Sequence, residues 1–271
     1  MFKYLKIIFV LLFVICLFIN AGCLNLKKDD NLQKKAENGD SQAQFQLGTD
    51  YLFGKIDGKV DYEKAVYWYT KSAEQGNVRA QCNLGYMYEN GNGVKKDYTK
   101  AFELYKKASD TGDPIAQNNL GNMYASGEGV KQDYTKALRL YKKSAEQGCA
   151  VGQYSLGNAY YNGEGVKQDY AEALKWFEKS VEQGDSNAQI NLGNMYASGK
   201  GVKQDYSEAL KLYKKSAEQG NEIAENNLGY MYENGCGVTQ DKEEAIKWYK
   251  KSAEQGCEPA KEALKRLEKK L

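Results

Sequence analysis

The chain has 271 residues, 42% hydrophobic and 27% charged, with a net charge of +2. It contains no histidine, which removes His-based triads, His general acid–base chemistry and most zinc sites. Lys and Glu are interspersed in near balance, so there is no basic stripe of the kind that reads nucleic acid.

Residues 1–22 have the layout of a secretory signal. Lys3 and Lys6 precede an unbroken apolar run, Ile7 to Ile19, and Asn20-Ala21-Gly22 then leads to Cys23. The run is shorter than the roughly 20 residues that a membrane span needs. The Ala-Gly-Cys ending resembles a bacterial lipobox, with Asn20 where that motif carries Leu and Ile19 one place early. The resemblance implies a triacylated Cys23 as mature N-terminus, firmly anchored; the alternative is an uncleaved signal anchor. Either way the rest of the chain is expected outside the cytoplasm, in the cell envelope. Residues 23–30 read as the lipidated Cys and a polar tether.

From residue 41 one phrase recurs about every 36 residues. Its marker is Leu-Gly, at Leu47-Gly48, Leu84-Gly85, Leu120-Gly121, Leu156-Gly157, Leu192-Gly193 and Leu228-Gly229. A fixed period of this size is the mark of a repeat architecture, in which one supersecondary unit stacks on its copies. In the unit that starts at Pro114, Ala116, Leu120, Met123 and Tyr124 predict one face of a first helix. The stretch Ser126 to Gly129 breaks that helix. Asp133 is placed to cap a second one, as are Asp61, Asp97, Asp169, Asp205 and Asp241. Glu172, Glu208 and Glu244, three residues past their caps, predict capping boxes. Tyr134, Ala137, Leu140, Tyr141 and Ala145 form the expected buried stripe of the second helix, and Gly148 its left-handed close.

A glycine inside a helix costs about 1 kcal/mol relative to Ala. Six in register predict close approach of an aromatic on the paired helix, such as Tyr141 or Trp176. Both ends read as caps: residues 31–40 copy the last turns of a second helix, and residues 258–271 form a polar terminal helix. Cys82, Cys149, Cys236 and Cys257 fall at different levels of such a stack, too far apart for the few-ångström Cα separation of a bridge, so free thiols are expected.

The phrase Ala-x-x-x-Leu-Gly-x-x-Tyr-x-x-Gly-x-Gly-Val-x-x-Asp-Tyr-x-x-Ala, at Ala116–Ala137, resembles the Sel1-like repeat, a relative of the tetratricopeptide repeat. The resemblance covers residues 41–257 as six units. The first unit departs at Gly54 to Gly58, and the last has Lys242 in place of Tyr. It implies an all-α fold, a right-handed superhelical α-solenoid of stacked helical hairpins. It also implies a protein or peptide partner held on the concave face, with no cofactor.

The candidate site is a ladder of amides on the first helices. Asn83, Asn119, Asn191 and Asn227 stand just before Leu-Gly, and Asn122, Asn158 and Asn194 just after it. Residues three apart share a helix face, and an amide both donates and accepts, which suits an extended backbone. Tyr86 and Tyr230 replace Asn in the second and sixth units and give the ladder aromatic ends. In tetratricopeptide domains Asn at these two positions holds peptides, which the similarity carries here. The other reading is that the amides bond neighbouring repeats.

No catalytic residues, metal ligands or small-molecule substrate are expected. The Gly-x-Gly-Val bends lack the Gly-Lys-Ser/Thr ending and the preceding strand of a phosphate loop. Cysteine-rich relatives of the family bind or hydrolyse β-lactams, but their paired cysteines are absent here, as is any Ser-x-x-Lys element. The expected function is a membrane-tethered scaffold or adaptor. The alternatives are a β-lactam- or peptidoglycan-directed hydrolase and a secreted effector that binds a host protein.

Overall fold

Asp133 ends an extended stretch and accepts a hydrogen bond from Lys136 N–H, and there the second helix of its hairpin begins. The same local chemistry starts helices all along the chain. The computed structural model describes residues 30–56 and 58–268, so the expected signal segment and Cys23 lie outside the described residues. Among the described residues there are fourteen helices and no strand. The described chain divides into two compact units, one up to Asn77 and one from Val78 onward.

In the first unit, α1 (Asp30–Glu37) packs on α2 (Ser41–Leu52), which pairs with α3 (Tyr62–Glu74). Gln44 donates to the Ala36 carbonyl at 3.0 Å, so α1 covers the end of the hairpin as a cap does.

The second unit holds five hairpins and a last helix. First helices are α4 (Val78–Asn90), α6 (Pro114–Ser126), α8 (Ala150–Asn162), α10 (Ser186–Ser198) and α12 (Glu222–Asn234). Their partners are α5 (Tyr98–Asp110), α7 (Tyr134–Glu146), α9 (Tyr170–Glu182), α11 (Tyr206–Glu218) and α13 (Lys242–Glu254), and α14 (Glu258–Glu268) closes the stack. Each helix packs on the next in sequence, and α6 also packs against α8. The first helices α6 and α8 therefore lie side by side.

The core is laid down by the repeat. Ala137, Tyr141, Ala145, Leu156 and Ala159 form one buried cluster, and Ala101, Tyr105, Leu120, Met123 and Leu140 another. Clusters of this kind bridge a hairpin and its neighbour, so no unit buries its apolar face alone. Gly148 takes φ +81° where the second helix closes, a conformation open to glycine at little cost. Gly129 also has positive φ and sits hard against the Tyr98 carbonyl of the preceding hairpin; Gly165, Gly201 and Gly237 do the same at Tyr134, Tyr170 and Tyr206.

Three expectations need correction. Tyr134 is 38% exposed, because it sits in the first turn, where its hydroxyl accepts from Gln132 Nε2. The capping boxes do not close. The cap N–H groups of Asp169, Asp205 and Asp241 donate instead to the carbonyls of Tyr160, Tyr196 and Tyr232. Glu172, Glu208 and Glu244 turn outward to Lys175, Lys211 and Lys247. The glycine in α8 faces Phe177, with Trp176 one residue off that stripe.

A polar latch that no sequence expectation covers closes four of the five hairpins of the second unit at the other end, α5 carrying Ala108 in place of the serine. Ser144, Ser180, Ser216 and Ser252 are fully buried and donate to the carbonyls of Pro114, Ala150, Ser186 and Glu222. Three residues on, Gln147, Gln183, Gln219 and Gln255 donate to the side chains of Gln117, Gln153, Gln189 and Glu225. The signal was present as the recurring Ser-x-x-Gln-Gly.

Candidate functional site

Each first helix carries two ladder positions, and what they bond is decided by the aromatic on the paired second helix. In α7 and α11 that aromatic is a tyrosine. Tyr141 donates its hydroxyl to Asn122 Oδ1 at 2.9 Å, and Tyr213 donates to Asn194 Oδ1 at 2.6 Å. Both amides are exposed, so their NH2 groups face outward with the oxygen already taken. Burial pushes both phenols above their ordinary pKa, which keeps them neutral donors.

In α9 the aromatic is Phe177, which has no hydroxyl to give. Asn158 Oδ1 is then available to the neighbouring unit, and Asn191 Nδ2 donates to it at 2.7 Å. One rung of the ladder thus joins two repeats, α8 to α10. Tyr154 lies beside both amides, and burial raises its phenol.

The second and sixth units solve the same problem differently. Where Tyr86 and Tyr230 replace Asn, the buried phenols of Tyr105 and Tyr249 donate to Glu89 and Glu233, each at 2.9 Å and one turn along the first helix. Tyr230 is thereby left free of the core and is 57% exposed, while Tyr86 is half-buried. Glu233 also receives Arg266 Nη2 at 2.7 Å, which pins α14 to α12.

Asn83, Asn119 and Asn227 behave as a separate set. They are half-buried on α4, α6 and α12 and form no hydrogen bond among the described residues. Their amides retain both donor and acceptor capacity. The nine predicted residues therefore divide: Asn122 and Asn194 hold the hairpin, Asn158 and Asn191 bridge repeats, Asn83, Asn119 and Asn227 are half-buried with no bond among the described residues, Tyr86 is half-buried and Tyr230 exposed.

Cys82, Cys149, Cys236 and Cys257 are free thiols, and burial pushes Cys82 up to about 12, so it is not a thiolate at neutral pH. Among the described residues no group of three or more Cys, Asp or Glu is disposed to hold a metal ion. No helix among them is long and apolar enough to cross a membrane.

The Sel1 repeat family model matches residues 41–77, 78–113, 114–149, 150–185, 186–221 and 223–257. Among solved structures, c5321, a protective antigen present in uropathogenic Escherichia coli strains, is 41% identical with a TM-score of 0.70. The match covers 89% of this chain and 51% of that one, so the chain spans about half its length. A Sel1 repeat protein from Oxalobacter formigenes is 32% identical with a TM-score of 0.73, over 85% of this chain and 100% of that one. Among curated proteins, the ERAD-associated E3 ubiquitin-protein ligase component HRD3B of Arabidopsis thaliana is 38% identical over 65 residues. That stretch is 24% of this chain and only 10% of HRD3B.

Proposed function

Given that the chain belongs to the Sel1 repeat family, we propose that it is a non-catalytic scaffold that holds a protein partner, as an extended segment, along the face of its first helices. A lipid on Cys23 would tether it to a membrane of the cell envelope. The repeat is an interaction architecture: stacked hairpins give a long preformed surface, and binding to it requires little reordering. The similarity to HRD3B, named as a component of a ligase, supports an assembling role.

The observation that carries the reading is the unused capacity of Asn83, Asn119 and Asn227. A helix that stood only for packing would not need a half-buried amide at this register in repeat after repeat. A partner backbone offers each amide a donor and an acceptor at once.

The test is cross-linked capture from intact envelopes with wild type and with a variant carrying Asn83→Ala, Asn119→Ala and Asn227→Ala. These three make no internal bond, so the variant is expected to melt as the wild type does and to lose the captured partner. Equal capture by both forms defeats the reading. Membrane tethering is read separately, by incorporation of labelled palmitate into the wild type and not into Cys23→Ser.

A further inference from the structure

The side of α6 opposite Asn119 and Asn122 is occupied by Leu120, Tyr124 and Gln117, since residues 100° apart per step fall on opposed faces there. Over that side, between α5 and α7, lies an open furrow of about 350 Å³. Leu120, Tyr124 and Leu140 give it an apolar floor; Lys106, Arg139 and Lys143 stand on its walls, with Asp110 the carboxylate that lines it.

Arg139 is out of pattern. The stretch 122–148 agrees with 194–220 at 23 of 27 positions, and two of the four differences are Lys136 for Glu208 and Arg139 for Lys211. In α11, Glu208 pairs with Lys211 at 2.6 Å, and Lys175 and Lys247 are paired in the same way in α9 and α13. In α7 that acid is gone: Lys136 turns back to Asp133 at 3.3 Å. Arg139 has no ion pair among the described residues, and neither Lys106 nor Lys143 has one. Arginine occurs at only three positions in the chain, 79, 139 and 266. Its fork matches a carboxylate in two parallel bonds, which a lysine cannot do.

We infer that this furrow is a second docking surface, on the side away from the amide ladder, for an acidic peptide segment of a partner protein. Two or more carboxylates meet Arg139, Lys143 and Lys106, and an aliphatic or aromatic side chain between them lies on Leu120, Tyr124 and Leu140. The excess of three cations over one acid sets the sign of the partner, and the apolar floor selects a peptide over a bare anion.

The test is fluorescence anisotropy with a labelled Glu-Glu-Leu-Glu-Glu peptide and its Lys-Lys-Leu-Lys-Lys counterpart, on the full chain without residues 1–22. The acidic peptide is expected to bind saturably and to weaken as salt rises. Arg139→Glu with Lys143→Glu is expected to lose roughly tenfold or more in affinity, and Arg139→Lys a smaller part. Lys211→Glu, at the matching place in α11, is expected to bind as wild type. Circular dichroism checks that each variant is folded. The inference is overturned if the acidic peptide fails to saturate, if the Arg139 variants bind it unchanged, or if Lys211→Glu weakens it equally. It is also overturned if inorganic phosphate or phosphatidylglycerol vesicles displace the peptide as readily as unlabelled peptide does.

Discussion

Gly121 on α6 and Tyr141 on α7 fill one packing space: a Cβ on the glycine would stand 2.6 Å from the Tyr141 ring. Gly193 and Tyr213 repeat the relationship at the same distance. The helix gives up the roughly 1 kcal/mol that Ala would bring so that a large aromatic can lie flush against its backbone.

Gly121→Ala is therefore expected to destabilise the fold by about 1–3 kcal/mol, the overpacking outweighing the gain in helix propensity. Urea denaturation followed by circular dichroism measures it. A midpoint that rises instead would mean that Tyr141 moves aside freely.

The buried serine latch gives the next expectation. Ser216 donates to the Ser186 carbonyl at 2.9 Å with no exposure to water. Ser216→Ala should cost about 1 kcal/mol, the net worth of the lost hydrogen bond, since the Ser186 carbonyl keeps its place in the first turn of α10. Ala108 stands at this register in α5, so the substitution itself is compatible with the fold. An unchanged denaturation midpoint would mean that the intrahelical bond alone satisfies the Ser186 carbonyl.

For the amide bridge, a double-mutant cycle on Asn158→Ala and Asn191→Ala should give a coupling of about 1 kcal/mol. Asn119→Ala alone should change stability by less than about 0.5 kcal/mol. Phe177→Tyr adds a hydroxyl that competes for Asn158, so the coupling should shrink in that background. A cycle that closes at zero would place the bridge outside the energetics of the stack.

Asp185 caps α10 and accepts from Ala188 N–H at 2.8 Å, yet burial pushes its carboxyl up to about 6. A raised acid binds its proton more tightly folded than unfolded. Stability from this group is thus greatest below pH 4 and falls as pH rises to about 6, where the buried group must ionise. Asp185→Asn keeps a capping oxygen, as Asn221 does at α12. It should stabilise by about 1–2 kcal/mol at pH 7 and remove the decline between pH 4 and 6. Melts of both forms across that range test this; parallel curves would refute it.

The hairpins, their Asp caps and their left-handed closures were legible in the sequence because each rests on residues within one turn of the site. The partner of a side chain was legible only where the 36-residue register was followed strictly. Phe177 stands 36 residues after Tyr141 and takes its place against Gly157; Trp176 does not. The spacing of Glu172 predicts a capping box, but the Asp169 N–H is already held by the Tyr160 carbonyl, a contact between two helices that no local motif encodes. In the sequence the ladder is seven like amides. Its division into hairpin, bridging and outward members follows from Tyr141, Phe177 and Tyr213 on the other helix. That signal lay in the sequence as the identity of the residue 19 positions on: Tyr141 after Asn122 and Tyr213 after Asn194, but Phe177 after Asn158.

The glycines at 129, 165, 201 and 237 make each hairpin rest on main-chain atoms of the one before it. A seam of that kind does not depend on which side chains a unit carries, so units are exchangeable parts. Excision of residues 150–185 would join Cys149 to Ser186 and bring Gly201 onto Tyr134 in place of Tyr170. Reach along a partner is then adjustable in whole units, by gain or loss of one 36-residue block; in this excision the rung that changes is Asn191, which loses Asn158.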